Sequence, residues 1–212
     1  MMNVSSDDEV IGLYQDAAAS YSSMMDDEIQ SSLYSDVLDR LCQRIADTPG
    51  ALVDTSCGSG HMLSMFRTRC DDGRELVGID ITPAMVSIAK RRLGESARII
   101  VGDMRDLSAL ADGSAAAVLS FFALHHVDID DVRNAAREWH RVLQPRGQLV
   151  VATWEGAGKI DYGAESDMIV YKHESGEISS LMEASGYSVD RCVADAVEDM
   201  GMNALYLEAT RS

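Results

Sequence analysis

A chain of 212 residues with 46% hydrophobic content is long enough to bury one full core and too short for two comfortable ones. Its 18 lysines and arginines face 35 aspartates and glutamates for a net charge of −17, which argues against a nucleic-acid partner, because such binding rests on cations that neutralise phosphate. No apolar run approaches a membrane span, Met1–Glu9 is acidic rather than basic and then apolar as a secretory signal would be, and Cys42, Cys57, Cys70 and Cys192 show no paired spacing, so the expectation is a reducing, cytoplasmic setting with neither a zinc site nor a disulfide framework.

Residues 9–46 carry Tyr14, Tyr21, Met24, Met25, Ile29, Leu33, Val37, Leu41 and Ile45 at three- and four-residue steps, a helical pattern that Thr48, Pro49 and Gly50 terminate. A first apolar strand opens at Ala51 and ends in Asp54; Gly58 and Gly60 follow, then a helix to about Arg69. Asp71, Asp72 and Gly73 read as a turn, Leu76–Asp80 as a second strand, and Thr82 with Pro83 as the cap and first turn of a helix that stops at Gly94. Ile99–Asp103 is a third strand, and Ala115–Phe122 a fourth. An amphipathic helix over 130–143 is stopped by Gln144–Gly147 and leads into a fifth strand, 148–154. Beyond a loop, a last helix runs from about Glu174 to Ala184, followed by two strands over 189–196 and 204–210. Helices alternating with apolar strands predict a single α/β domain with a Rossmann-like, doubly wound sheet that binds ligands at the strand carboxyl ends.

The strand–glycine turn–helix around Gly58 brings bare backbone toward a ligand. A nicotinamide dinucleotide site would want a third glycine three residues after Gly60, where Leu63 stands, and Asp54 would put a carboxylate beneath a pyrophosphate. That acid suits a cationic ligand better. Asp80, at a strand end, is placed to accept two hydrogen bonds from a vicinal diol.

With Asp54, Gly58 and Gly60, then Asp80, Asp103 and Phe121 in this order and spacing, the chain resembles the class I S-adenosylmethionine-dependent methyltransferases from about Asp36 to its end. The resemblance implies a seven-stranded, mostly parallel sheet with the last strand antiparallel. Its parts would be N-terminal lid helices (1–46), a cofactor core (50–154), a substrate loop (155–173), and a C-terminal helix with a strand pair (174–212), all in one domain over 1–212. It implies S-adenosylmethionine as cofactor and S-adenosylhomocysteine as product. Asp54, Ser56, Gly58, Gly60 and His61 would surround the methionine end, Asp80 would hold the ribose hydroxyls with Ile81 and Met85 beside it, and Asp103 would face the adenine amino group with Met104. Phe121 falls where the methyl group meets its acceptor. The compact branch resembling ubiquinone/menaquinone C-methyltransferases and small-amine N-methyltransferases is the better match: no Asn/Asp-Pro-Pro-Tyr follows the fourth strand, where Ser120, Phe121, Phe122 and Ala123 stand.

Methyl transfer from a sulfonium needs positioning, desolvation and, for some acceptors, removal of a proton. His126 and His125, past the fourth strand, are candidate catalytic groups, with His126 on the side of Phe122 and Leu124. Tyr162, Asp161 and Trp154, from the acid-rich stretch after the fifth strand, are candidates to hold or wall the acceptor, and Tyr162 also for catalysis. Tyr14 and Tyr21, two turns apart, are candidates to close over the site from the lid. For each of these, packing or a solvated surface is the structural alternative. The acids of 155–167 suggest a cationic acceptor. No metal-ligand spacing and no Gly-x-Ser-x-Gly elbow occurs. The expected function is methyl transfer to nitrogen, oxygen, sulfur or carbon of a small molecule by in-line displacement, in a monomer or homodimer without membrane partners. A non-catalytic S-adenosylmethionine-binding protein and an aminopropyl-type transferase remain alternatives.

Overall fold

A serine cap starts the first helix. Ser6 and Glu9 exchange side-chain and backbone hydrogen bonds at the head of α1 (Asp7–Glu28), and Ser31 caps α2 (Ser32–Ile45). The helical pattern over 9–46 is therefore two helices. They differ in depth: α1 buries only Val10, Ala18 and Ser22, whereas α2 buries Tyr34, Val37, Leu38, Leu41 and Ile45. So α2 belongs to the core, and α1 lies over it as a cover. The computed structural model describes residues 4–70, 73–162, 168–197 and 201–212; Asp71, Asp72 and residues 163–167 of the expected substrate loop lie outside the described residues.

The remaining elements are β1 (Ala51–Asp54), α3 (His61–Cys70), β2 (Leu76–Asp80), α4 (Pro83–Leu93), β3 (Arg98–Val101), β4 (Ala115–Phe121), α5 (Ile129–Val142), β5 (Leu143–Glu155), β6 (Lys159–Asp161), β7 (Ile169–Tyr171), α6 (Ser175–Ala184), β8 (Tyr187–Val197) and β9 (Met202–Arg211). Seven strands form one sheet in the order β3-β2-β1-β4-β5-β9-β8. The first five are parallel, and β9 runs antiparallel to both β5 and β8, as expected for the last strand. β1 and β4 are buried along nearly their whole length, which is why they read as continuous apolar runs rather than as alternation.

Alternate residues of each strand feed two apolar layers. One holds Val118, Leu149 and Leu205 under Trp139 of α5 and Met182 of α6. The other holds Leu52 and Leu119 under Leu38 and Leu41 of α2, Phe66 of α3 and Ala89 of α4. Strand order reverses between β1 and β4, so their carboxyl-end loops diverge and open a crevice there.

Three expectations are corrected. β5 begins at Leu143, inside the expected helix end: Leu143 pairs with Ala115 and Gln148 with Ala117, and the ladder absorbs the intervening residues as an irregularity with Arg146 at φ 66°. The described part of 155–173 is not an open loop but carries the antiparallel pair β6–β7. And Cys42 of α2 is joined to Cys70 of α3 as a disulfide, with Cα atoms 5.9 Å apart; the two lie far apart in sequence, and only the packing of α2 on α3 brings them together. That removes the cysteine argument for a reducing compartment. Among the described residues no helix is long and apolar enough to cross a membrane.

Candidate functional site

The glycine turn after β1 is built around two carboxylates. Asp80, at the end of β2, accepts the Gly58 N–H at 2.8 Å and the Thr82 N–H at 2.9 Å, tying the β1 turn to the start of α4. Asp54 is buried behind this turn and accepts the Ser56 N–H at 3.2 Å. Burial raises both acids, Asp54 to about 7, with the field of Asp80 adding to its shift. The Ser56 hydroxyl accepts the Phe121 N–H at 3.0 Å and so couples the β1 turn to the end of β4. At that end Phe122 adopts φ 49° and donates its N–H to the Ala152 carbonyl at 2.8 Å. A left-handed backbone at an aromatic residue is a strained choice that the neighbouring strand holds in place.

Between these loops and α1 lies a cavity of about 110 Å³. Of the residues singled out from sequence it is lined by Ser56, Gly58, Asp80, Ile81, Met85, Asp103, Met104, Phe121, His126, Tyr14 and Tyr21. The volume is below the roughly 300–1,000 Å³ of small-molecule sites.

Seven expected site residues stand elsewhere. Asp54 lies behind the turn. Gly60 serves helix packing: at φ 86°, a Cβ there would meet Leu93 at 3.0 Å and Ala89 at 3.2 Å of α4, not a ligand, whereas a Cβ on Gly58 would meet only Tyr21 at 3.8 Å. His61 is buried, with Nδ1 2.9 Å from the Ser59 hydroxyl and Nε2 2.8 Å from Asp26 of α1; it holds the lid helix. His125 is buried behind His126, the ring centroids 4.0 Å apart, and burial pushes it well below the usual imidazole range. Trp154 backs Phe122 at 4.9 Å, and Tyr162 packs in the same apolar cluster. Asp161 is exposed on β6, and Asp167 is outside the described residues.

Sequence reading missed Arg105, Asp7 and Val10, all of which line the cavity. Arg105 grips both oxygens of Asp103, at 2.9 and 2.5 Å, and also Asp7 of α1 at 2.5 Å and Asp131 of α5 at 2.7 Å; these carboxylates hold its guanidinium above the usual range. Asp7, Val10, Tyr14 and Tyr21 follow helical spacing, so extending the tyrosine stripe backwards would have found the first two. Nothing local marks Arg105 beyond its position two residues after Asp103.

Tyr14 Oη lies 3.3 Å from His126 Nε2 with the rings edge-on. Burial depresses His126 to about 4 and raises Tyr14, so both are neutral at neutral pH.

Residues 53–151 match the sequence pattern of the family described as "Methyltransferase domain". The chain is 33% identical over 104 residues to a dTDP-4-amino-2,3,4,6-tetradeoxy-D-glucose N,N-dimethyltransferase of Saccharopolyspora spinosa, covering 49% of this chain and 40% of that protein. It is 29% identical over 210 residues to a demethylmenaquinone methyltransferase of Beutenbergia cavernae, covering 95% of this chain and 82% of that one. It spans about half the length of several curated relatives, 40%, 42% and 52% in three cases. In fold it is similar to a Burkholderia thailandensis 1,6-didemethyltoxoflavin-N1-methyltransferase solved with 1,6-didemethyltoxoflavin and S-adenosylhomocysteine bound (TM-score 0.74, 17% identity, 100% of this chain and 93% of that one). It is also similar to a chain of the complex between a Haloferax volcanii methyltransferase and its activator (TM-score 0.77, 19% identity, 98% and 97%).

Proposed function

We propose that the chain is a class I S-adenosylmethionine-dependent methyltransferase that transfers a methyl group from S-adenosylmethionine to a small molecule held in the cavity under α1. The observation that carries this reading is the pair Asp80 and Asp103, which face one cavity from the ends of neighbouring strands, beside the bare backbone of Gly58. Asp80 suits a ribose diol and Asp103 an exocyclic amine. When bound, the cofactor supplies a methyl group already activated on a sulfonium.

The chain's own residues then position and exclude water. Asp54 and Asp80 set a negative field behind the turn that favours a cationic ligand. Tyr14 and Tyr21 close from α1, Phe121 and Phe122 wall the end of β4, and His126 offers a neutral imidazole nitrogen toward an acceptor proton. His125, Trp154 and Tyr162 support that wall from behind.

The test is calorimetric titration with S-adenosylmethionine and S-adenosylhomocysteine. Asp80→Ala is expected to weaken both by about 1–3 kcal/mol, the cost of losing charge-assisted hydrogen bonds; unchanged affinity in a folded variant would remove the ribose assignment. Incubation with methyl-labelled cofactor and a panel of amines, thiols and phenols separates an enzyme from a protein that only binds the cofactor.

A further inference from the structure

We infer that the acceptor is an electrically neutral molecule with an apolar, ring-sized body, which presents a proton-bearing heteroatom to His126 in place of the Tyr14 hydroxyl. The inference rests on the proposed function and names the substrate class of the same site.

Charge is distributed unevenly along the cavity. The carboxylates of Asp80 and Asp103 come from the ends of β2 and β3, on the side assigned to the cofactor. Across the sheet, the wall from the end of β4 and the facing turns of α1 is made by Val10, Phe122, Ala123 and Val127. Besides the ion pair of Asp7 with Arg105, that wall presents Tyr14 Oη and His126 Nε2, which face each other. At 3.3 Å with rings nearly perpendicular, this contact is long for a hydrogen bond, so a ligand donor replaces it at little cost.

Asp7 is the acid whose field reaches His126, and its carboxylate is already taken by Arg105. Asp161, which the sequence offered as a counter-charge for a cationic acceptor, is exposed on β6 and does not line the cavity. Among the described residues of this wall, a charged acceptor would find a counter-charge by displacing Asp7 from Arg105 or would be desolvated unpaired, an arrangement proteins avoid. An uncharged ring meets aromatic edges and faces instead: Tyr14 and Tyr21 stand edge to face at 5.7 Å, and Phe122 is backed by Trp154.

The experiment titrates protein saturated with S-adenosylhomocysteine against one ring carrying different groups: naphthol, methylnaphthalene, naphthoate and aminomethylnaphthalene. Naphthol is expected to bind at least about tenfold more tightly than the anionic or cationic ring. It should also bind more tightly than methylnaphthalene in the wild type, an advantage, taken as the ratio of the two affinities in the same protein, that His126→Asn reduces to within about twofold. Saturation by S-adenosylhomocysteine is measured first, and its failure counts against the methyltransferase reading. Saturation followed by equal or tighter binding of a charged ring, by no binding of naphthol, or by an unchanged naphthol advantage in His126→Asn overturns the present inference alone.

Discussion

At Asp54 burial and ligand charge pull in opposite directions. The folded protein raises its carboxyl to about 7 from an unfolded value of about 3.9, so the folded state holds the proton more tightly. The stability this confers is complete below about pH 4 and is lost as pH rises through about 7. Asp54→Asn keeps an acceptor for the Ser56 N–H and removes the buried charge. Its urea midpoint is expected above wild type near pH 8 and equal to it near pH 4. Cofactor binding should show the mirror image: wild-type affinity rises with pH through neutrality as the ionised acid meets the cationic methionine end, and the variant's is lower and flat. Titrations in buffers of different ionisation enthalpy detect the proton released; none released would exclude this role. The two glycines give a second contrast. Gly58→Ala adds a Cβ in ordinary contact with Tyr21 at φ 49°, costing about 1–2 kcal/mol of backbone strain at the cavity wall; Gly60→Ala adds one against Leu93 and Ala89 at φ 86°. Thermal melts are expected to show the larger loss for Gly60→Ala, and cofactor titration the larger affinity loss per unit of stability for Gly58→Ala.

α1 covers the cavity and is fastened at both ends. Near its start Asp7 meets Arg105; near its end Asp26 meets His61 and Arg92, the latter at 2.9 Å, with Ser22 also within reach of Arg92. Between them Val10, Ala18 and Ser22 are buried and Tyr14 and Tyr21 face the cavity, so the ion pairs share its attachment with packing contacts. His61 was legible as a residue near the glycine turn, but not as a lid anchor, because its partner comes from a helix 35 residues earlier. Loosening the ends should leave the core intact and speed exchange. Asp26→Asn and Arg105→Gln are each expected to raise the dissociation rate of S-adenosylhomocysteine severalfold in stopped-flow displacement, with little change in the thermal midpoint. Rates equal to wild type in both would mean that exchange does not pass under α1.

Across the whole molecule, legibility followed locality. β1, β2 and β4 were readable because burial on both faces makes each an apolar run, and β1 and β2 end in an acid. Asp80 and Asp103 on the cavity lining were readable because acids at strand ends face the crevice of such a sheet. What stayed hidden depends on contacts between distant segments: the Cys42–Cys70 pairing, the early start of β5, the β6–β7 pair, and Arg105 with its three carboxylates. Net charge is the global property that remains to be tested. With 35 acids against 18 lysines and arginines, the folded chain repels itself. Yet the lid is held by attraction between partly exposed groups, Asp7 and Asp26 being 47% and 56% accessible. Salt screens both effects, with opposite results. Raising the ionic strength from about 0.05 to 0.5 M is expected to raise the thermal midpoint by a few degrees, because diffuse repulsion over the whole surface weakens. Over the same range it should accelerate S-adenosylhomocysteine release, because the attractions at the two ends of α1 weaken too. Melting and stopped-flow release measured on the same samples check the split. A falling midpoint would show that ion pairs such as Arg40 and Arg44 on Glu208 outweigh the repulsion, and a release rate indifferent to salt would show that α1 is held by its apolar contacts.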